Sequence, residues 1–344
     1  MTNPAIAKPQ RTFDWRLFLE NYGALIAFAF LLVFSGYYAG ADFYRPENLR
    51  NIINQNSFVG IIAIGMTFVI ISGGIDLSVG SMLALVGVVS IMTMNRVIAG
   101  VEAEAIGVVA AVGVALALGP LLGFIQGVLI AKGRVAAFIV TLGGLVGFRS
   151  VALTLADGGE VRSESLELFR KIGGEGIPLP FIEVIPGRPL VIYWPILVFI
   201  LFAIAGSILL NRTRYGRYVY AVGCNETAAR YSAIAVDRVK IWTYTLIGFC
   251  TGVAALLLAA RMNSVGASTM GNLYELDAIA AVVIGGTRME GGKGRVWGTV
   301  IGVLILGLIS NMLVLMNVPA YLQGLVKGIV IIAAVLVQRT RSTN

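Results

Sequence analysis

Long apolar runs recur along the whole chain, and this repetition constrains the fold more than any other feature. A helix that crosses a bilayer needs about 20 mostly apolar residues. Ten stretches approach that pattern: 22–40, 52–71, 78–98, 104–130, 135–155, 191–210, 241–260, 275–287, 296–315 and 319–338. The sequence therefore predicts an all-α fold, a polytopic transmembrane helical bundle of about ten spans, in which residues 1–344 form one transmembrane domain.

The composition also indicates a membrane protein. Of the 344 residues, 58% are hydrophobic and only 13% are charged, whereas soluble domains have about 25% charged residues. The net charge is +8, and in a membrane protein such an excess is expected in cytoplasmic loops rather than against nucleic acid. There is no histidine, and the two cysteines have no paired spacing, so neither a metal site nor a disulfide framework is indicated.

The charges of the loops indicate the orientation of the chain. Segment 211–240 has six basic residues against two acidic ones, and the short turns at 131–134 and 288–295 are also basic, whereas segment 156–190 has six acids against four bases. Basic loops stay in the cytoplasm. This predicts that both termini are cytoplasmic, with 1–21 as a cytoplasmic N-terminal segment, 156–190 as an outer loop and 211–240 as a cytoplasmic loop.

The stretch "SGGIDLSVGS" at 72–81 places one carboxylate, Asp76, between two apolar runs. Two roles are open for it. The carboxylate can cap a helix that starts near Leu77. Alternatively, the turn lines a passage or gate, because irregular backbone at membrane depth is tolerated only beside protein or a watery cavity. The candidate residues of this path are Gly73, Gly74, Asp76, Ser78 and Asn56.

A second glycine-rich stretch is an internal echo of the first. "VVIGGTRMEGGKGRVWGTVIGVLI" at 282–305 resembles "VIISGGIDLSVGSMLALVGVV" at 69–89, and paired Gly-interrupted segments are frequent in transporters. Chance similarity between Gly-rich membrane segments is the alternative. The stretch is not an ATP-binding loop, because Lys293 is followed by Gly294 rather than by Ser or Thr. The candidate residues of this second turn are Gly285, Gly286, Gly291 and Gly292.

The spans contain few groups that could perform chemistry. Ion-coupled carriers and membrane enzymes place several ionisable residues inside the membrane. Here the candidates at the spans and their ends are Asp76, Arg149, Arg261 and Asp277, which is a thin set. This set argues against an ion-coupled secondary transporter and against an enzyme, and it fits a neutral polar solute, which needs hydroxyls and amides rather than fixed charges.

The cytoplasmic segment "GCNETAARYSAIAVDRVK" at 223–240 is longer than a plain connector needs to be. It is compatible with a helix whose small residues lie on one side, where another protein could approach closely. An ordinary basic loop is the alternative. The small residues are Ala228, Ala229, Ser232 and Ala233.

Taken together, these segments resemble the permease subunits of ABC-type sugar importers of the ribose, xylose, arabinose and galactose class. The resemblance covers residues 50–338 and includes "LDAIAAVVIGGTRMEGGKGRVWGTVIG" at 276–302 and "GFIQGVLIAKGRVAAFIVTLGGL" at 123–145. The coupling loop of that family reads Gly-x-Asn-x-x-Ala-Ala-x-x-Ser-Gly-Ile. The chain departs from the family by having Ala233 in place of glycine and Gln126 in place of asparagine.

The resemblance implies a membrane-spanning permease of an ATP-driven, binding-protein-dependent importer of a monosaccharide, in a bacterial inner membrane. The partners would be cytoplasmic ATP-binding subunits, a periplasmic sugar-binding protein on loop 156–190 and a second permease copy. This chain would bind no cofactor, since partner subunits would use ATP and Mg. A non-sugar solute, such as a nucleoside or modified furanose, stays open. The implied coupling residues are Asn225, Glu226, Ala228, Ala229, Arg230, Ser232 and Ala233.

Overall fold

The computed structural model describes residues 15–165, 167–185, 188–319, 322–330 and 332. Residues 1–14 of the predicted N-terminal segment lie outside this range. The helices are α1 (Trp15–Ala39), α2 (Pro46–Ile71), α3 (Val79–Val101), α4 (Glu104–Ala131), α5 (Ala137–Leu155), α6 (Leu168–Gly174), α7 (Trp194–Arg212), α8 (Arg214–Cys224), α9 (Glu226–Tyr231), α10 (Val236–Met262), α11 (Tyr274–Ile284) and α12 (Val296–Leu315). The strands are β1 (Glu160–Arg162), β2 (Gly176–Ile185), β3 (Arg188–Tyr193) and β4 (Ser264–Gly266).

The predicted all-α membrane bundle is confirmed. In the described part of the chain, eight helices are long and apolar enough to cross a bilayer, namely α1, α2, α3, α4, α5, α7, α10 and α12. The predicted span 275–287 becomes α11, whose 11 residues reach about 16 Å, half the thickness of a bilayer core. The predicted span 319–338 is helical at 322–330 and lies partly outside the described residues.

Helices α2 and α10 form the centre of the bundle. The protein itself buries 83% of the α2 span and 72% of the α10 span, but only 11% of the α1 and α5 spans. α10 packs against α4 through glycine. A Cβ on Gly119 or Gly123 would overlap the backbone of Gly248 or Tyr244, so only glycine lets these two backbones touch. Such small-residue contacts are how membrane helices pack closely.

The loop between α5 and α7 folds into β1, α6 and the β2–β3 hairpin. β1 pairs antiparallel with β4, with Val161 opposite Val265, and this pairing ties the loop to the chain that follows α10. The Glu104 carboxylate, at the start of α4, accepts hydrogen bonds from the backbone N–H groups of Glu167 and Leu168 at 2.9 Å. The first part of the loop is therefore tied to the start of α4 and to the chain that follows α10.

Candidate functional site

Helix α2 ends in a glycine turn, as its sequence predicts. Gly73 has φ +80°, a backbone conformation that side chains other than glycine rarely adopt. Its N–H donates to the Ile70 carbonyl, and the N–H of Gly74 donates to the Val69 carbonyl, both at 2.9 Å. This pattern is the Schellman helix ending. It turns the chain sharply into residues 72–78, which we call the α2–α3 turn.

Asp76 is fully buried in the α2–α3 turn. Its Oδ1 accepts hydrogen bonds from the backbone N–H of Ser78 at 2.8 Å and from the Ser78 hydroxyl at 2.7 Å. α3 begins at Val79, so the prediction that Asp76 caps a helix starting near Leu77 was wrong in its register. The carboxylate instead closes an Asx-type turn just before the helix. Its Oδ2 is buried with no hydrogen-bond partner among the described residues.

Two side chains from other helices hold the α2–α3 turn in place. No pattern in the sequence linked them to this turn. The Gln126 amide of α4 donates to the Ser78 hydroxyl at 2.8 Å, and the Tyr244 hydroxyl of α10 donates to the Ile75 carbonyl at 3.0 Å. α5 passes close by at Gly144, where a Cβ would lie 3.0 Å from the Cβ of Ser78. Gln126 was noted only as a departure from the family pattern, and Tyr244 gave no signal beyond being a polar group in a span.

Asn56 does not join the other predicted path residues. It lies 15 positions before Ile71 on α2, which is about 22 Å along a helix. Its side chain donates to the Ile52 carbonyl at 2.7 Å and lines a small cleft with Asp277 and Lys327. In that cleft the Lys327 ammonium lies 3.2 Å from the Asp277 carboxylate.

The second glycine-rich turn repeats the helix ending of the first. Gly286 has φ +91°; its N–H donates to the Val283 carbonyl at 2.8 Å, and the N–H of Thr287 donates to the Val282 carbonyl at 3.2 Å. Gly285 is the C-cap of α11 and directly precedes Gly286. The internal echo in the sequence thus corresponds to one local geometry, with Gly73 and Gly286 in the same role.

The two glycine turns meet at one point together with the end of α8. The N–H of Gly292 donates to the Ile71 carbonyl at 2.9 Å, and Gly291 also borders that carbonyl. A Cβ on Gly223 would overlap the same carbonyl oxygen. We call this meeting point of Ile71, Gly223 and Gly292 the glycine junction. Gly223 lies two residues before Asn225, the first of the predicted coupling residues.

Helix α9 lies within the segment 223–240 that the sequence indicated to be compatible with a helix. Asn225 is its N-cap, and its side-chain oxygen accepts a hydrogen bond from the Ala228 N–H at 2.9 Å. Ala228, Ser232 and Ala233 are exposed. Ala229, however, is only 4% exposed and packs against its own chain, so the prediction that it lies on one outward face with the other small residues was wrong. Ala229 lies on the side of α9 that packs against the rest of the chain, whereas Ala228, Ser232 and Ala233 face outward.

Charged pairs fix α9 against the start of α10. The Glu226 carboxylate accepts hydrogen bonds from Lys240 at 2.7 Å and from Arg230 at 3.4 Å, and Arg230 also reaches Asp237 at 3.1 Å. The hydrogen bond from Lys240 and the nearby cations hold the pKa of Glu226 below its ordinary value. Each exposed pair contributes little stability alone. Together, however, these pairs fix the orientation of α9 relative to the start of α10.

A polar cavity of about 290 Å³ lies beside the α2–α3 turn. Its walls come from three segments distant in sequence, namely α3, α5 and the stretch from β4 to α11. The lining residues are Ser81, Leu145, Arg149, Leu153, Ser268, Asn272 and Glu275. Of these residues, only Arg149 stands out in the sequence as a charged group in a span, because no local pattern shows that these segments share a cavity.

Arg149 also shapes this cavity. Its Nη1 donates to the carbonyls of Ala267 at 2.8 Å and Met270 at 2.9 Å. The chain from β4 to α11 is irregular, and non-helical backbone at membrane depth needs such partners for its polar groups. Arg149 therefore fixes this segment to α5.

In the described part of the chain, eight helices of spanning length, two glycine helix endings and a cavity between helices are the features expected of a membrane permease. Residues 48–335 match the family described as branched-chain amino acid transport system / permease component, and the chain belongs to this family. This confirms the resemblance to permease subunits of ABC-type importers that the sequence motifs indicated.

Several characterised permeases are similar to the chain over most of their length. The ribose import permease protein of Escherichia coli is 44% identical over 300 residues, which cover 87% of this chain and 88% of the relative. The ribose import permease protein of Bacillus subtilis is 40% identical over 317 residues, 91% of each chain. The xylose transport system permease protein of Escherichia coli is 32% identical over 365 residues, covering 92% and 91%. No solved structure matches the chain.

Proposed function

We propose that this chain is the membrane-spanning permease subunit of an ATP-driven, binding-protein-dependent importer of a ribose-type monosaccharide. The observation that carries the proposal is the 40–44% identity, over nearly the whole chain, to permeases named for ribose import. The match spans the α2–α3 turn, the glycine junction and segment 223–240, because it covers 87% or more of the chain.

The proposed mechanism is alternating access driven by partner subunits. Two cytoplasmic ATP-binding subunits would bind ATP and Mg and press on α9. Because α8 and α9 adjoin the glycine junction, a displacement of α9 would reach Ile71 through Gly223 without an intervening flexible loop. The α2–α3 turn would then act as the gate between the two sides of the membrane. A second copy of the permease would complete the transmembrane path.

The partner surfaces follow from the predicted orientation, in which α9 faces the cytoplasm and both termini are cytoplasmic. The β2–β3 hairpin then faces the periplasm of the bacterial inner membrane. Its Phe181 is 94% exposed, and an exposed aromatic side chain on a rigid hairpin is a typical anchor for a protein partner. We assign this surface to the periplasmic sugar-binding protein.

Uptake of radiolabelled ribose tests the proposal. The permease would be produced with its ATPase and binding protein in bacteria that lack their own ribose uptake. We expect ATP-dependent accumulation of ribose that excess xylose reduces and that excess leucine or a nucleoside leaves unchanged.

The matched control replaces the phosphate-loop lysine of the ATPase and leaves the permease intact. This control should abolish accumulation. Ribose uptake that continues with the inactive ATPase and stops when the proton gradient is dissipated would contradict the proposal in favour of an ion-coupled carrier. Competition by leucine or by a nucleoside would refute the substrate assignment.

A further inference from the structure

We propose that the cavity bounded by Ser81, Arg149, Asn272 and Glu275 is an intramembrane binding site for one sugar molecule, which selects the solute during its passage. The inference rests on the proposed function and goes further, because it assigns selection to the permease itself. The cavity brings together α3, α5 and the irregular segment before α11 at a single position.

The lining residues suit a neutral polyol. Each sugar hydroxyl both donates and accepts hydrogen bonds. The cavity offers the hydroxyls of Ser81 and Ser268, the amide of Asn272, the carboxylate of Glu275 and the guanidinium of Arg149. The last two carry opposite charges in one cavity, so no net charge is available to hold an ion. Leu145 and Leu153 supply the apolar surface that the carbon face of a sugar needs.

The size of the cavity agrees with this ligand class. Its volume of about 290 Å³ lies at the lower end of the range for small-molecule pockets, about 300–1,000 Å³. A single monosaccharide fits such a volume, and an oligosaccharide does not. The carboxylate of Glu275 is available without prior movement, because the residue lines the cavity although it is only 9% exposed.

The cavity directly adjoins the proposed gate. The Ser81 hydroxyl donates to the Ser78 carbonyl at 3.0 Å, and Ser78 is the residue that Asp76 holds. On α5, Gly144 packs against Ser78, and its neighbour Leu145 lines the cavity. Any movement of the α2–α3 turn would therefore change the cavity wall, so that binding and gating are linked through one helical turn of α3.

Filling the mouth of the cavity tests the inference. Asn272 is exposed, and Asn272→Leu would replace a polar group by a bulkier apolar one. We expect this variant, in the full complex with ATPase and binding protein in proteoliposomes, to lose ribose uptake by about tenfold or more. ATPase stimulation by the sugar-loaded binding protein should stay within about twofold. The matched control is Asn211→Leu, the same change at an exposed position of α7.

Protection from labelling gives a second readout that does not depend on transport. In Ser268→Cys, a small thiol reagent should modify position 268, and mass spectrometry separates this product from that at exposed Cys224, while Cys250 is buried. We expect ribose to slow the modification at position 268 and to leave the rate at Cys224 unchanged, which provides an internal control.

Each result decides between defined alternatives. Uptake by Asn272→Leu equal to that of Asn211→Leu, or labelling of position 268 that ribose does not slow, would overturn the inference even if the wild-type protein imports ribose. Labelling slowed by leucine and not by ribose, together with leucine uptake by the wild-type protein, would overturn both the sugar assignment and the proposed function.

Discussion

Asp76 is the residue on which both interpretations of the α2–α3 turn depend. One carboxylate oxygen closes the turn through Ser78, while the other is buried with no partner among the described residues. A buried acceptor without a hydrogen bond costs free energy. The turn thus accounts for Oδ1 of Asp76, whereas Oδ2 is left for a role in transport.

Two substitutions of Asp76 separate these roles. We expect Asp76→Ala to insert normally and to lower transport by about tenfold, because both bonds to Ser78 are lost and the turn loosens. Asp76→Asn keeps an oxygen that can accept both bonds, so transport should be largely restored. Ribose uptake per inserted permease is the measurement. Equal losses in the two variants would show that the negative charge itself is required.

Ala233 has a strained backbone in this chain. Its φ is +60°, in the left-handed region that costs a residue with a Cβ about 1 kcal/mol relative to glycine. The position follows α9, where the family pattern has glycine. We expect Ala233→Gly to raise the free energy of unfolding by up to about 1 kcal/mol, as measured by thermal unfolding of the detergent-solubilised protein. A lower melting temperature would refute this explanation.

At the scale of elements, the glycine junction joins the coupling segment to both helix breaks. Glycine there allows close approach: α8 touches the end of α2 only because Gly223 has no side chain. The two breaks share the Schellman ending, but the loops that follow differ in length, six residues from Gly73 to α3 and ten from Gly286 to α12. The longer loop is the one that reaches across to Ile71.

A single methyl group at the junction should uncouple the transporter. Gly223→Ala would favour helix α8 by about 1 kcal/mol on propensity alone, yet its Cβ would overlap the Ile71 carbonyl. We expect transport to fall by about tenfold with ATPase docking intact, since overpacking of this kind shifts the backbone.

The control for this prediction is Gly100→Ala, at an exposed helical position where a Cβ meets nothing within 4 Å. This variant should transport normally. If Gly223→Ala also transports normally with unchanged ATPase stimulation, the junction does not transmit the movement of α9.

In the whole molecule, different segments of the chain have different structural roles. The loop between α5 and α7 is anchored by Glu104 and β4, the centre of the bundle is built on α2 and α10, and Tyr231 at the end of α9 is 88% exposed beside Ser232. The expected docking face of α9 therefore includes Ser232 and excludes buried Ala229. Bulk at Ala229 would disturb folding rather than docking alone.

Docking of the ATPase can be tested on this face. Ser232→Trp should abolish copurification of the ATPase with the permease, because a bulky side chain would separate the two surfaces, while membrane insertion stays normal. Ser150→Trp, the same change at an exposed position of α5, is the matched control and should copurify as the wild type does. Retained ATPase in Ser232→Trp would remove α9 from the interface.

Features that depend on local chemistry could be predicted from the amino-acid sequence. Apolar runs of spanning length gave eight helices at their predicted positions, since burial in lipid acts on each segment separately. Glycine pairs marked both helix breaks because φ values such as those of Gly73 and Gly286 are open mainly to glycine. The family followed in the same way from short, ordered motifs.

The contacts between residues of distant segments could be learned from the tertiary structure alone. The partners of the turn, Gln126 and Tyr244, come from helices about 50 and 170 positions away. The inward face of Ala229, the half-length α11 and the polar cavity likewise depend on which helix faces meet. Such contacts are fixed by close packing over the whole bundle, through glycines that let α4 and α10 touch. No short window of sequence contains that information, because the residues that meet are far apart in the chain.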